Sequence, residues 1–146
     1  MEIKFKEDLV LLPRWLRQVV ETHSVSVPFI IRTHVPLGGG EVDVVVEDHR
    51  KAIAIELKES DYMKVIVQAE KRTLFFDYVY AALNLHASTI LSILRSYPNV
   101  LRSGVGFVST RDDCIVIRAY RSRNVAESLR YKKILDFMRT DQEVVK

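Results

Sequence analysis

Leu9, Leu12, Leu16, Val19 and Val20 recur at the spacing of one helical face, so the pattern predicts an amphipathic helix over 8–22 with Arg14, Arg17, Gln18 and Glu21 on its polar side. The β-branched run 25–35 predicts a strand. Gly38 to Gly40 then form a turn into two apolar runs, 41–47 and 52–58, separated by a short polar stretch around His49 and Arg50. A loop near Ser60 and Asp61 leads into a predicted helix over 63–76, followed by a buried strand at 78–83. A helix over 87–101 is interrupted near its end by Pro98, which has no amide hydrogen to give. Two strands, 104–109 and 114–120, flank a turn at 110–113, and Asn124 is placed to cap a last helix from Val125 to about Arg139. The order is α-β-β-β-α-β followed by α-β-β-α, which predicts one α/β domain over 1–146, a mixed central sheet with helices on its faces.

The hairpin at 41–58 carries charges that its apolar pattern does not explain. Asp43, Glu56 and Lys58 interrupt runs of valine, isoleucine and alanine, and a charge in a half-buried strand is costly unless it is paired or holds an ion. Side chains alternate along a strand, so Val42, Val44 and Val46 are expected on one face and Glu41, Asp43, Val45 and Glu47 on the other. On the next strand Ile53, Ile55 and Leu57 oppose Ala52, Ala54, Glu56 and Lys58. If both apolar sets face the core and the loop centres on His49 and Arg50, Asp43 stands directly across from Glu56, with Cβ atoms about 5 Å apart. Two carboxylates at that separation repel. A divalent cation between them turns the repulsion into a binding site, and Mg²⁺ in particular takes one or two carboxylates together with waters and substrate phosphates. Lys58 falls one step beyond Glu56 on the same face, within reach of a phosphate or an attacking water. Ala52 and Ala54 keep that face open.

The pattern Asp43, then Glu56-x-Lys58 on a strand–turn–strand, resembles the PD-(D/E)XK nuclease superfamily, whose fold is restriction-endonuclease-like. The motif occupies only 43–58. Val42 stands where the family often has proline, and the leading order of elements matches the family's αβββαβ core, here with C-terminal additions. The resemblance implies a Mg²⁺-dependent deoxyribonuclease, with Mn²⁺ as a substitute ion, acting on DNA in repair, recombination or processing. Asp43, Glu56 and the main-chain carbonyl of Leu57 would hold the metal, and Lys58 would orient or activate the water. In some branches a glutamine on the following helix touches the active site, with tyrosine four residues later. Gln68 matches the first, whereas position 72 is arginine. Glu21 and Glu41 are further acidic candidates, read equally as an exposed helix residue and as a partner in an ion pair. Two alternatives stand beside this reading: a non-cleaving nucleic-acid-binding module on the same fold, and a hairpin whose charges only pair with each other, such as Glu41 with Lys58.

The net charge of +3 conceals an uneven distribution: residues 1–94 sum to −2 and residues 95–146 to +5. Arg118, Arg121, Arg123, Arg130, Lys132 and Lys133 form a loose basic run, of the kind that contacts phosphates. Lys64, Gln68, Lys71 and Arg72 share a helical side. A homodimer is compatible with cutting two strands, though no dimer surface can be read. The single cysteine, Cys114, and the charged start of the chain lead to the expectation of an intracellular, cytoplasmic protein. The segment around 81–94 is too short and too polar to span a membrane. The four histidines show no metal-ligand spacing, and Gly38 to Gly40 are not followed by the Gly-Lys-Ser/Thr of a phosphate loop.

Overall fold

Pro13 decides where the first helix starts. The leucine spacing predicted a helix from residue 8, but Lys6–Leu11 is a 3-10 turn and α1 spans Arg14–Thr22, immediately after the proline. A helix running through position 13 would lose a hydrogen bond and drive the pyrrolidine ring into the preceding turn. The computed structural model describes residues 1–37, 40–58, 61–123, 125 and 130–135.

Among these residues seven strands form one mixed sheet in chain order. A two-residue strand β1, Glu2–Ile3, is too short to show any periodicity and was not predicted. It pairs antiparallel with β2, Phe29–Leu37, and only at Ile30 and Phe29. That leaves the outer edge of β2 around Pro36 without a partner strand, while its inner edge pairs with β3, Pro36 opposite Glu41. β3 (Gly40–Glu47) and β4 (Ala52–Lys58) continue the antiparallel meander. α2 (Tyr62–Arg72) then crosses to β5 (Tyr78–Leu83), parallel to β4, and α3 (Ala87–Ser96) crosses to β6 (Gly106–Ser109), parallel to β5. β7 (Cys114–Ile117) closes the sheet antiparallel to β6.

α2 starts with the Asp61 carboxylate accepting from the Lys64 amide and ends at Arg72, short of the predicted residue 76. α3 stops at Ser96, two residues before Pro98, as the restriction on residues preceding proline requires; Pro98–Ser103 is a 3-10 turn. β6 starts later than predicted, because Gly104 takes a left-handed φ of 83° and so stands outside the strand; β7 ends at Ile117, short of the predicted residue 120. The predicted final helix falls mostly outside the described residues, as does its cap Asn124; residues 131–135 are helical.

Each face of the sheet buries its own apolar layer. α1 contributes Trp15, Leu16, Val19 and Val20 against Val44, Val46, Ile53, Ile55 and Tyr80. α2 and α3 contribute Val65, Ile66, Ala69, Ile90 and Leu94 against Val45, Ala54, Val79, Ala81 and Phe107. Val42 corrects the simple alternation: it belongs to the α2 side, not with Val44 and Val46. The pairs Thr33↔Val44 and Val35↔Val42 bracket His34, whose φ is 53°. A left-handed residue in an extended strand turns the chain about its own axis, so the outer ends of β2 and β3 present opposite faces from their inner ends.

Beneath α1, His23 is buried, with its Nε2 2.6 Å from the Tyr80 hydroxyl and its ring 3.9 Å, centroid to centroid, from that of Tyr78. Burial, followed by the charges of Arg118 and Lys51, pushes its pKa down to about 4. The Tyr80 hydroxyl also accepts from the Ala119 amide at 3.2 Å. Gly106 makes room for this arrangement, since a Cβ there would lie 2.5 Å from Ala119 N and 2.5 Å from Tyr80 Cε1. Gly106→Ala is therefore expected to destabilise the fold by about 2–3 kcal/mol, as overpacking does, and to lower Tm by about 5 °C or more. An unchanged urea midpoint would show that β6 and β7 yield freely at this point.

Candidate functional site: a carboxylate pair and its arginine

The turn between β3 and β4 is built around one buried aspartate. Asp48 accepts through Oδ1 from the Arg50 and Lys51 amides at 2.7 and 2.8 Å, and through Oδ2 from the Ser26 amide at 2.8 Å. The turn sets the pairing Glu47↔Ala52, Val46↔Ile53, Val45↔Ala54 and Val44↔Ile55. This is the register expected from the hydrophobic pattern; the paired stretch ends at Val44↔Ile55, and beyond it the Asp43 side chain comes close enough to act on Glu56.

The two carboxylates are held differently. Asp43 is half-buried, and its Oδ2 accepts from the Leu57 amide at 2.8 Å. Glu56 is 1 % exposed, and its Oε1 accepts from Nε of Arg72 at 2.9 Å. Burial pushes the Glu56 pKa up to about 7; Arg72 opposes this, while the charge and hydrogen bonding of Asp43 add to it. Asp43 Oδ1 and Glu56 Oε2 are the oxygens committed to neither Leu57 nor Arg72. Two such oxygens with a neighbouring main-chain carbonyl at Leu57 form a hard, all-oxygen donor set of the type Mg²⁺ accepts. Among the described residues there is no gathering of three or more His, Cys, Asp or Glu side chains that could hold a metal, so any ion here relies on this smaller set and on water.

Arg72 is the residue that sequence reasoning missed. It stands one helical turn after Gln68, where the resemblance led to tyrosine. From the end of α2 its Nη2 also donates to the Glu41 carbonyl at 3.1 Å. Gly40 leaves space for it: a Cβ at that position would come within 3.3 Å of Nη2. The shared helical side of Gln68 and Arg72 was the available signal, and it pointed to phosphate rather than to Glu56.

The other candidates are dispersed. Lys58 is exposed at the end of β4 and lines a cavity of about 500 Å³ with Leu57, Ala82, Asn84 and Thr110. Lys58 pairs with Leu83 and Glu56 with Ala81, both in the α2 layer, so β4 sets Lys58 on the face of the Glu56 carboxylate, while Leu57 and Ala82 in the cavity lining belong to the other face. Gln68 is half-buried on α2 and, among the described residues, makes no hydrogen bond to Asp43 or Glu56. Lys64 and Lys71 are exposed, as is Glu21 on α1. Glu41 is exposed and pairs with His34, Oε1 to Nδ1 2.7 Å, not with Lys58.

The basic run is not gathered beside the carboxylates. Arg121 and Arg130 approach Asp77 Oδ1 at 3.9 and 3.6 Å, and Lys132 donates to the Asp48 carbonyl. Asp77 accepts from the amide of Ala52, the first residue of β4. These groups therefore sit at the start of β4, about 13 Å along the strand from Glu56. Arg118, Arg123 and Lys133 are exposed.

No family model matches the chain, and no curated protein matches it. No helix among the described residues is long and apolar enough to cross a membrane.

Glu56 and His23 give opposite pH slopes. Between pH 4.5 and about 7 folded Glu56 keeps a proton that the unfolded chain releases, so stability falls as pH rises through that window. Between pH 6.5 and about 4 the unfolded chain protonates His23 while the folded chain resists, so stability falls as pH drops. Glu56→Gln removes the first slope only. Relative to the wild type, this variant is expected to gain about 2–3 kcal/mol between pH 4.5 and pH 8 in urea melts. Parallel pH profiles for the two proteins would place the Glu56 titration outside this range.

Proposed function

We propose that this chain is a Mg²⁺-dependent nuclease of the PD-(D/E)XK type, hydrolysing phosphodiester bonds of DNA in repair, recombination or processing. The observation that carries the reading is the convergence of Asp43 and Glu56 across the β3–β4 register, close enough for one carboxylate to raise the pKa of the other. The order α1-β2-β3-β4-α2-β5, with β5 parallel to β4, supports it.

Asp43 Oδ1, Glu56 Oε2 and the Leu57 carbonyl would hold the ion. Mg²⁺ bound there supplies Lewis acidity and lowers the pKa of water. Asp43 is kept in place by the Leu57 amide, so its other oxygen is oriented before any ligand arrives. Arg72 does the same for Glu56, holding Oε1 and offsetting part of the charge of a buried carboxylate. Lys58, solvent-exposed at the end of β4, is assigned to the phosphate: its ammonium orients the attacking water and offsets charge developing on the phosphoryl oxygens.

The Arg72–Glu56 pair favours a second reading, a non-cleaving nucleic-acid-binding module. An arginine already neutralises the buried glutamate, so the fold does not need a metal to be stable. Incubation with single-stranded, duplex and branched DNA in Mg²⁺ or Mn²⁺, against EDTA, separates the two. The nuclease reading expects metal-dependent cutting that drops by about a hundredfold or more in Asp43→Ala, Glu56→Ala and Lys58→Ala, with circular dichroism unchanged. DNA binding with neither cleavage nor Mn²⁺ uptake in calorimetry would establish the module instead.

A further inference from the structure

Away from the carboxylates, the loop entering β6 and the segment leaving β7 enclose a cleft of about 560 Å³, within the range of small-ligand sites. Arg102, Arg121 and Arg123 line it together with Tyr120, Leu101 and Gly104. Gly106 pairs with Tyr80, and Tyr78 with Ile53. The cleft therefore opens at the end of the sheet where β4 and β5 begin, whereas Lys58↔Leu83 marks the other end.

Its chemistry is one-sided. No carboxylate lines it among the described residues. Arg121 approaches Asp77 at 3.9 Å, and its side chain is itself 67 % exposed. Three guanidinium groups around one opening repel each other and concentrate negative counter-charge there. The polar hydroxyls nearby are already used: Ser103 donates to the Val100 carbonyl and Thr73 to the Glu70 carbonyl. Beside the arginines stand two apolar surfaces turned to solvent, the Tyr120 ring at 70 % exposure and Leu101 at 41 %. The two walls are tied together, the Tyr120 amide donating to the Gly104 carbonyl at 3.0 Å. A fixed cationic opening beside an exposed aromatic face matches a ligand with phosphates and an unpaired flat ring.

We propose that this cleft is a binding site for single-stranded nucleic acid, with a base stacked on Tyr120 and backbone phosphates met by Arg102, Arg121 and Arg123. A duplex hides the faces of its bases, so the aromatic half of the cleft has nothing to offer it. The site is separate from Asp43 and Glu56 and stands whether or not they hold a metal.

Fluorescence anisotropy in EDTA tests the assignment, using the full chain and labelled oligothymidylate and oligouridylate of about twelve nucleotides, with a duplex of the same length for comparison. Either single strand is expected to bind more tightly than the duplex. Tyr120→Ala is expected to weaken single-strand binding by about tenfold, while Tyr120→Phe retains it. Arg102→Ala and Arg123→Ala are each expected to reduce the slope of log affinity against log salt by about 0.7. These side chains are exposed, so the variants keep the wild-type circular dichroism. Equal affinity for the duplex, no effect of Tyr120→Ala, displacement of the strand by inorganic phosphate as readily as by thymidine monophosphate, or no binding at all overturns the proposal. Cleavage assays of the Asp43 and Glu56 variants report on the other site independently.

Discussion

The three hydrogen bonds accepted by Asp48 govern the arrangement of this molecule. They close the turn from β3 to β4 and tie it to Ser26 at the end of the segment that follows α1. Once the turn is closed, the pairing of the two strands has no freedom, because a slip of one residue would exchange the α1-facing and α2-facing residues. Val44, Val46, Ile53 and Ile55 go to the α1 layer, and Val45 and Ala54 to the α2 layer. The position of Glu56 is a by-product of that sorting. It shares a face with Ala54, beneath α2, and a carboxylate in that layer needs a counter-charge from the helix above it. Arg72 supplies one.

The charged groups of the molecule are accordingly divided between the two ends of the strands. At the start of β4 and β5, Asp48 and Asp77 draw in Lys51, Arg121, Arg130 and Lys132, and much of the C-terminal basic charge is spent on these two carboxylates and the backbone around them. Further along, Asp43 and Glu56 have one arginine and one strand amide between them. Arg102 and Arg123, outside these pairings, face with Arg121 a cleft that no described carboxylate lines.

Much of this could be read from the chain. The strand at 78–83 followed from a continuous apolar run, the mark of a strand buried on both faces, and the β3–β4 register and the approach of Asp43 to Glu56 from assigning alternate side chains to opposite faces. Signals that depend on single backbone residues were harder to see. Nothing in the sequence marks His34 as left-handed, yet it reverses the face of Val42. Pro13 was visible, and its effect on the helix was outweighed by the leucine spacing around it. The Arg72–Glu56 pair was hidden for a different reason. A helix side can be read from spacing, but which strand residue it meets depends on the crossing of α2 over β4, a tertiary quantity. The basic run illustrates the same limit, since its clustering in sequence said nothing about the carboxylates that hold it.

The order of strands in the sheet is the order in the chain. Each pairing therefore closes a short loop, and contacts between neighbours can form as soon as both have left the ribosome. β2, β3 and β4 are complete by residue 58, whereas Arg72 lies fourteen positions further on. The buried glutamate therefore belongs to the strand meander, and the cation that compensates it comes from the next segment of the chain, at the end of α2.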